Sequence, residues 1–196
     1  MYALAAEEFA ELVGRIPGNA WTGPGLGEWD LRSLVGHTTR SLITVDTYLD
    51  RPTETEVVAS PDDYYRATHT VANADPAAVT ERGRQAGLAL GDDPVAAVRL
   101  LIDRVMPRIY AVDDPLIETI AGGMRLSTYL PTRIFELVVH SLDIARAADL
   151  DPQLPPALLQ LVAGLAARAA VAQGDGTVVI DALTGRSSLP PGFSVV

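Results

Sequence analysis

The sequence contains no cysteine and no lysine. Without cysteine the chain can form neither disulfides nor thiolate metal sites, and it has no cysteine nucleophile. All 15 cationic side chains are therefore arginines, and together with the abundant Ala, Gly and Pro this indicates a GC-rich coding sequence.

Positive charge and long apolar runs are also scarce. The formal net charge is −10, which disfavours nucleic-acid backbones and anionic membranes as partners. No apolar run approaches the about 20 residues of a membrane span, and the N-terminal segment lacks the basic start and apolar core of a secretory signal. We therefore expect a cytoplasmic protein, a monomer or homodimer, that binds neither nucleic acid nor a membrane.

The 196 residues are enough for one domain with a small appendage. Helical spacing of apolar residues predicts a mainly α fold whose helices are long enough for a bundle. We place helices at residues 3–15, 30–49, 75–91, 93–112, 127–150 and 154–174. The bundle should span residues 1–150, and residues 151–196 should form a short C-terminal extension of helix, strand and tail packed on it.

Several finer features are also predicted from local signals. Asp30 should cap the second helix, and Ser127 should cap the helix that contains Pro131. Pro107 should end or kink its helix. Residues 50–62 should be a polar loop, the segment 61–75 is ambiguous, and "PLIETIAGGMRLS" should form a small hairpin or an extended loop. "TVVIDALTG" has the composition of a strand. These features complete the predicted order of elements.

The segment "RIFELVVHSL" places Glu136 and His140 on one face of an otherwise apolar helix. His37 lies in another apolar helix, so the three side chains would converge if the two helices were neighbours. Two imidazoles and a carboxylate suit Zn²⁺, and also Ni²⁺, Fe²⁺ or Mn²⁺. The alternative is an ordinary Glu–His hydrogen bond. The remaining histidine, His69, lies in a polar segment and is predicted to be a surface residue rather than a ligand.

Two segments resemble the signatures of one known family. "EWDLRSLVGHTTRSL" resembles the helix that opens the mycothiol-dependent maleylpyruvate isomerase family, and "MRLSTYLPTRIFELVVHSLDIA" is similar to its second signature. "ALTGRSSLPPGFSVV" resembles the tails of many actinobacterial members. The resemblance covers about residues 1–150 and part of the tail. It implies a DinB-like four-helix bundle in which a divalent metal is held by His37, Glu136 and His140.

The resemblance also implies a chemistry. Mycothiol is the low-molecular-weight thiol of actinobacteria, and a divalent metal can bind a thiol and favour its reactive thiolate. Thiolate addition to a conjugated double bond permits rotation, and elimination then leaves the isomerised product. The expected partners are this thiol and a small, anionic substrate. Residues 151–196 are too few for the second domain that follows the bundle in the isomerase itself.

Five further side chains have two interpretations each. Arg133 either holds a substrate carboxylate or pairs with an acidic neighbour, and Asp143 either orients the His140 imidazole or forms a local salt bridge. Trp21 and Trp29 are predicted to be packing anchors rather than ligand platforms. Arg186 either reaches an anionic substrate, if the tail folds over the site, or is an exposed arginine.

Three functions are compatible with these residues. The first is a thiol-dependent metalloenzyme, an isomerase or a thiol S-transferase. The second is a metal-dependent hydrolase on the same bundle, which would use metal-bound water and a further carboxylate or histidine beside it. The third is a non-catalytic binding or regulatory protein with a closed or empty metal site. The first is favoured because the chain resembles the isomerase family.

Overall fold

The computed structural model describes residues 1–74 and 76–195, including their side chains except at 69–74 and 76, so the prediction for His69 lies outside the described side chains. The described residues form eight helices and one two-stranded sheet. In chain order these are α1 (Tyr2–Gly14), α2 (Leu31–Tyr48), α3 (Pro61–Ala74), α4 (Pro76–Ala89), α5 (Pro94–Tyr110), β1 (Leu116–Thr119), β2 (Gly122–Arg125), α6 (Leu126–Ala147), α7 (Pro156–Gln173) and α8 (Gly176–Leu183). The prediction of a mainly α fold is confirmed.

Four of the helices form a closed bundle. α1 packs against α5 and α6, and α2 packs against the same two helices. Each contributes a stripe of apolar side chains at helical spacing, as expected for a bundle core. The fully buried members of this core include Phe9, Leu12, Leu34, Leu42, Val98, Val105, Leu137 and Ile144. The predicted four-helix bundle is therefore present, and its long helices α2 and α6 lie side by side.

The remaining helices surround this bundle. α4 packs on α2, α3 and α7 pack on α6, and α8 packs on α7. By length and composition alone, α7 is the one described helix that could cross a membrane, with a mean hydropathy of 1.3. Its buried side chains, Leu158, Val162, Leu165, Ala169 and Ala170, give it an inward face.

Three helix ends follow the local sequence signals. The Asp30 carboxylate accepts a hydrogen bond from the Ser33 N–H at 2.8 Å, so Asp30 caps α2 as predicted. α7 ends at Gly174, which has a φ of 97°, and α4 ends shortly before Gly91, which has a φ of 66°. Glycine adopts these left-handed conformations without a steric penalty.

Two helix predictions differ from the structure, the first of them in part. α5 continues past Pro107 to Tyr110, so this proline does not end the helix, and a kink at Pro107 stays a prediction. Ser127 does not cap α6, because the helix begins one residue earlier, at Leu126, and Pro131 consequently lies inside it. The Asp114 carboxylate instead accepts hydrogen bonds from the Ser127 N–H (2.7 Å) and hydroxyl (2.8 Å). A cap supplied from before the hairpin has no local sequence signal.

The predicted strand "TVVIDALTG" was also wrong, because residues 176–183 form α8. A β-branched run becomes a strand only where a neighbouring strand can pair with it, and this segment packs against α7. Helical spacing places Val178, Val179 and Ala182 half-buried, whereas Ile180 and Leu183 are exposed. Tertiary context thus overrides the local preference.

The segment "PLIETIAGGMRLS" forms the hairpin β1–β2, one of its two predicted structures. The preceding polar loop runs along this hairpin. The Val57 and Val58 N–H groups both donate to the Gly123 carbonyl, at 2.7 and 3.0 Å. A side chain at Gly123 has no space, because its Cβ would lie 1.9 Å from the Thr55 carbonyl oxygen.

α2 and α4 touch through their backbones at two glycines. A Cβ on Gly36 would lie 2.1 Å from the Gly87 nitrogen, and a Cβ on Gly87 would lie 2.9 Å from the Arg32 carbonyl oxygen. The contact is reinforced by the Arg32 Nε–H, which donates to the Gly87 carbonyl at 2.9 Å. Gly36 immediately precedes His37, so this contact also fixes the backbone of a candidate ligand.

Gly36→Ala is expected to lower the free energy of unfolding by about 3 kcal/mol, because the added methyl group forces two helix backbones apart. Urea unfolding followed by circular dichroism measures this loss. Gly164→Ala in α7 is the matched control, since its Cβ meets nothing closer than Arg168 Nη1 at 3.5 Å. That control should gain up to about 1 kcal/mol from helix propensity. Equal effects at both positions would contradict the close contact.

Candidate metal centre

The structure brings His37, Glu136 and His140 together. His37 projects from α2 and the other two project from one face of α6, one turn apart. One donor atom from each of the three side chains lies within 4.8 Å of the others. The convergence follows from the direct packing of α2 against α6, the neighbour relation on which the sequence argument depended.

Asp143 fixes the orientation of the His140 imidazole. The Asp143 Oδ2 lies 3.1 Å from His140 Nδ1, and its Oδ1 accepts a hydrogen bond from Arg146 at 2.6 Å. His140 Nε2 then faces the Glu136 Oε2 at 3.4 Å. Burial opposes the charged imidazole, but Asp143 and Glu136 together outweigh it and raise the pKa of His140 to about 9. In the metal-free protein His140 is thus an imidazolium at neutral pH.

Tyr65 holds the other oxygen of Glu136. Its hydroxyl lies 3.1 Å from Glu136 Oε1 and 3.0 Å from the Thr132 carbonyl oxygen. Burial, followed by the charge of Glu136, raises the pKa of Tyr65, so the phenol remains a donor. Burial opposes ionisation of Glu136, but the hydrogen bond with His140 and the positive charge of Arg133 lower its pKa to about 2. Glu136 is therefore a carboxylate with Oε2 directed at His140.

His37 has a different environment. Its ring lies against Trp29, with centroids 4.4 Å apart, and edge-on to His140 at 4.9 Å. Burial, together with the nearby charge of His140, lowers the pKa of His37 to about 3. Its buried Nδ1 has no hydrogen-bond partner in the described part of the chain. A neutral imidazole has one N–H and one lone pair, and at Nδ1 neither would have a partner among the described residues.

These observations fit a divalent metal. The donor set is two imidazoles and one carboxylate, the set of several catalytic zinc sites. Ligand atoms of a tetrahedral site with bonds of about 2.1 Å lie about 3.4 Å apart, which matches the separation of His140 Nε2 and Glu136 Oε2. The unpartnered nitrogen of His37 is available to bind a metal. The carboxylates beside His140 orient its imidazole, as partners of metal ligands commonly do.

The three side chains line a cavity of about 560 Å³. Four tyrosines and three arginines also line it: Tyr48, Tyr64, Tyr65, Tyr129, Arg40, Arg82 and Arg133. Ser194 reaches the same cavity, and the Gln173 side-chain amide donates to the Val195 carbonyl at 2.9 Å. The end of the tail therefore contributes to the cavity wall. His37, Glu136 and His140, which we call the metal trio, border open space in this cavity.

Of the two arginines predicted as substrate contacts, one lies in the cavity and the other does not. Arg133 is buried in the cavity wall, between the rings of Tyr64 and Tyr129. Arg186 does not reach the cavity; it is exposed and donates to the Thr184 carbonyl. The structure therefore favours the second alternative, an exposed arginine.

The two tryptophans differ in their contacts. Trp21 packs against the core. Trp29 donates to the Thr80 carbonyl at 2.8 Å, and its ring fills the space beside Gly83. Both residues are packing anchors, as predicted, and Trp29 also supports His37.

Sequence reasoning missed most of the other side chains that line this cavity, among them Tyr65, Arg82 and Arg40. Tyr65 lies in the segment that was ambiguous, now α3, and Arg82 lies on α4, whose contact with α2 has no signal in either helix alone. Arg40 follows His37 by three residues, so helical spacing was the one clue that placed it near the trio.

Comparison with known proteins agrees with the signatures. Neither the curated proteins nor the solved structures include a match to this chain. Residues 2–145, however, match the family described as the mycothiol maleylpyruvate isomerase N-terminal domain. That match includes both signature segments, the bundle and all three members of the trio. The chain therefore belongs to the mycothiol maleylpyruvate isomerase N-terminal domain family.

Proposed function

We propose that this protein is a thiol-dependent metalloenzyme, an isomerase or thiol S-transferase that acts on a small anionic molecule. The observation that carries the proposal is the convergence of His37, Glu136 and His140 on the wall of a cavity. Zn²⁺ is the favoured metal, with Ni²⁺, Fe²⁺ or Mn²⁺ as alternatives, and mycothiol is the proposed thiol. A divalent metal bound there would lower the pKa of a coordinated thiol and so supply a thiolate at neutral pH.

The residues around the trio have definable tasks in this proposal. Asp143 keeps Nε2 of His140 directed at the metal position, and Tyr65 keeps Oε2 of Glu136 directed there. Such partners of ligands commonly tune metal affinity. Trp29 covers one face of His37 and excludes water from it. Arg133 is proposed to hold a negatively charged group of the substrate, because its guanidinium lines the cavity.

The hydrolase alternative needs a carboxylate or histidine beside the trio to act as a general base. Among the described lining residues the carboxylates are Glu136 and Asp143. Asp143 is already engaged by His140 and Arg146, so neither carboxylate is left for water. The closed, four-ligand site of a non-catalytic protein is disfavoured because the trio borders open space. These two observations support the thiol-dependent function over hydrolysis and over a closed structural site, and the metal analysis below tests the empty site.

The experiment that tests the proposal is metal analysis of the untagged protein, followed by calorimetric titration with mycothiol. We expect one equivalent of metal and mycothiol binding that requires it. Bound metal without thiol binding would contradict the thiol-dependent function and favour hydrolysis or a structural metal site instead. Absence of metal from protein purified with zinc available would overturn the proposal.

Tyr65→Phe is expected to weaken metal affinity by about tenfold, because Glu136 loses the hydrogen bond that orients it. Competition with a chelator of known affinity measures the change. Tyr64→Phe is the matched control, since Tyr64 lies beside Arg133 in the same cavity and has no hydrogen bond to the trio. Equal losses in both variants would show that general repacking, rather than the Tyr65 hydroxyl, is responsible.

A further inference from the structure

Three arginines on three different helices line the cavity: Arg40 on α2, Arg82 on α4 and Arg133 on α6. Within the described part of the chain, none of them forms an ion pair with a carboxylate. Acidic partners are plentiful in a protein with a net charge of −10. Elsewhere on the surface arginines use them; Arg99, for example, pairs with Glu7 and Glu11.

Arg133 is the most deeply placed of the three, with 8% of its surface exposed. Its Nε–H donates to the Thr132 hydroxyl at 3.0 Å. Its Cζ lies 4.9 Å from the centre of the Tyr129 ring and 5.2 Å from that of Tyr64. The two terminal nitrogens have no acceptor among the described residues. These nitrogens border the cavity, where a guanidinium without a protein acceptor gains a charge-assisted hydrogen bond from an anion.

Arg40 and Arg82 bring further positive charge to the same space. Arg40 is half-buried, and Arg82 is exposed at the cavity edge. Burial, followed by the charge of Arg82 and then by smaller effects that include Arg133, lowers the pKa of Arg40. Like charges held together without an acid between them are mutually destabilising, and a bound anion removes that cost.

We propose that Arg40, Arg82 and Arg133 form an oxyanion subsite that receives a carboxylate or phosphate group of the substrate in the same cavity as the metal trio. The inference rests on the proposed function, because it takes this cavity as the active site. It extends that function by assigning the distal end of the substrate to residues of α2 and α4. Guanidinium groups suit this task because their paired N–H donors match the spacing of carboxylate and phosphate oxygens.

The test is an NMR titration of the full chain with succinate and, separately, with inorganic phosphate, at low ionic strength. Each titration uses zinc-loaded protein and protein freed of metal by a chelator. We expect at least one probe to bind in both forms. Arg40→Gln and Arg82→Gln should each weaken that binding by about tenfold, since each removes a charge-assisted hydrogen bond. Preference for succinate would assign a carboxylate substrate, and preference for phosphate a phosphorylated one.

Arg84→Gln is the matched control, because Arg84 lies on the same helix as Arg82 but faces Glu28 and Glu81. It should bind the probes as the wild type does. Arg82 is exposed, so Arg82→Gln should fold normally even if Arg40→Gln does not. Failure of both probes to bind, or equal binding by Arg82→Gln and the wild type, would overturn the subsite. Binding that requires zinc and ignores the arginines would overturn it too, by assigning the anion to the metal.

These outcomes are separable from failure of the proposed function. Anion binding that depends on the arginines in the metal-free protein supports the subsite whatever the metal analysis finds. Loss of metal or mycothiol binding, with the arginine-dependent titration intact, would overturn the thiol-dependent function alone.

Discussion

His140→Ala is expected to reduce metal affinity by about a thousandfold while the protein remains a folded helical bundle. Structural zinc sites with four ligands bind with about 10–16 kcal/mol, or about 2.5–4 kcal/mol per ligand, and the upper end of that range corresponds to about a thousandfold. The fold should persist because the core among α1, α2, α5 and α6 is apolar and does not include the trio. Metal affinity is measured by chelator competition, and folding by circular dichroism and urea unfolding.

The other two histidines provide the comparison. His37→Ala should lose metal to a similar degree, because its imidazole belongs to the same cluster. His69→Ala should bind metal as the wild type does. Retention of metal by His140→Ala, or its loss from His69→Ala, would show that the ligand set is assigned wrongly. Global unfolding on chelation of the wild type would contradict the independence of the core from the metal.

Metal affinity should rise by about fiftyfold between pH 7 and pH 9. Asp143 and Glu136 raise the pKa of His140 to about 9, so below that pH a proton competes with the metal for Nε2. Displacing one proton makes the affinity change about tenfold per pH unit. His37 and Glu136 have pKa values of about 3 and 2, so neither adds a proton in this range. Above pH 9 the affinity should level off.

This result would differ from the expectation for ordinary imidazoles, whose affinity for metal falls below about pH 6. Chelator competition at several pH values, corrected for protonation of the chelator, gives the slope. Calorimetry at pH 7 in two buffers of different ionisation enthalpy should show about one proton released per metal bound. Asp143→Asn should move the start of the plateau to lower pH, because one of the groups that retains the proton is gone. An affinity independent of pH between 7 and 9 would contradict the assignment.

The pairing of Glu136 with His140 could be found from a local rule, because one helical turn separates them. His37 was added through the resemblance to two family signatures, since its approach depends on the packing of α2 against α6. The strand predicted at residues 177–185 was wrong. Its β-branched residues favour a strand, but a strand needs a partner strand to pair with. The element that packs against this segment is the helix α7.

The rest of the site depends on tertiary contacts that no local pattern records. Tyr65 reaches Glu136 across 71 positions of sequence. Arg82 enters the cavity only because α4 lies directly on α2, and that approach depends on the absence of side chains at Gly36 and Gly87. The Asp114 cap on α6 likewise comes from before a hairpin. In each case two segments that are distant in sequence come into contact, and neither segment alone has a pattern that predicts the contact.

The backbone contact between Gly36 and Gly87 also bears on how this site can be altered by evolution or by engineering. Because neither position can accept a larger side chain, variation that changes substrate choice must fall elsewhere. Outside the ligand-bearing helices α2 and α6, the cavity is lined by three aliphatic residues: Leu26, Val79 and Ile120. These come from a loop, from α4 and from the turn between β1 and β2. Substitutions at these three positions can therefore change the substrate selectivity of the cavity without moving α2 or the three candidate metal ligands.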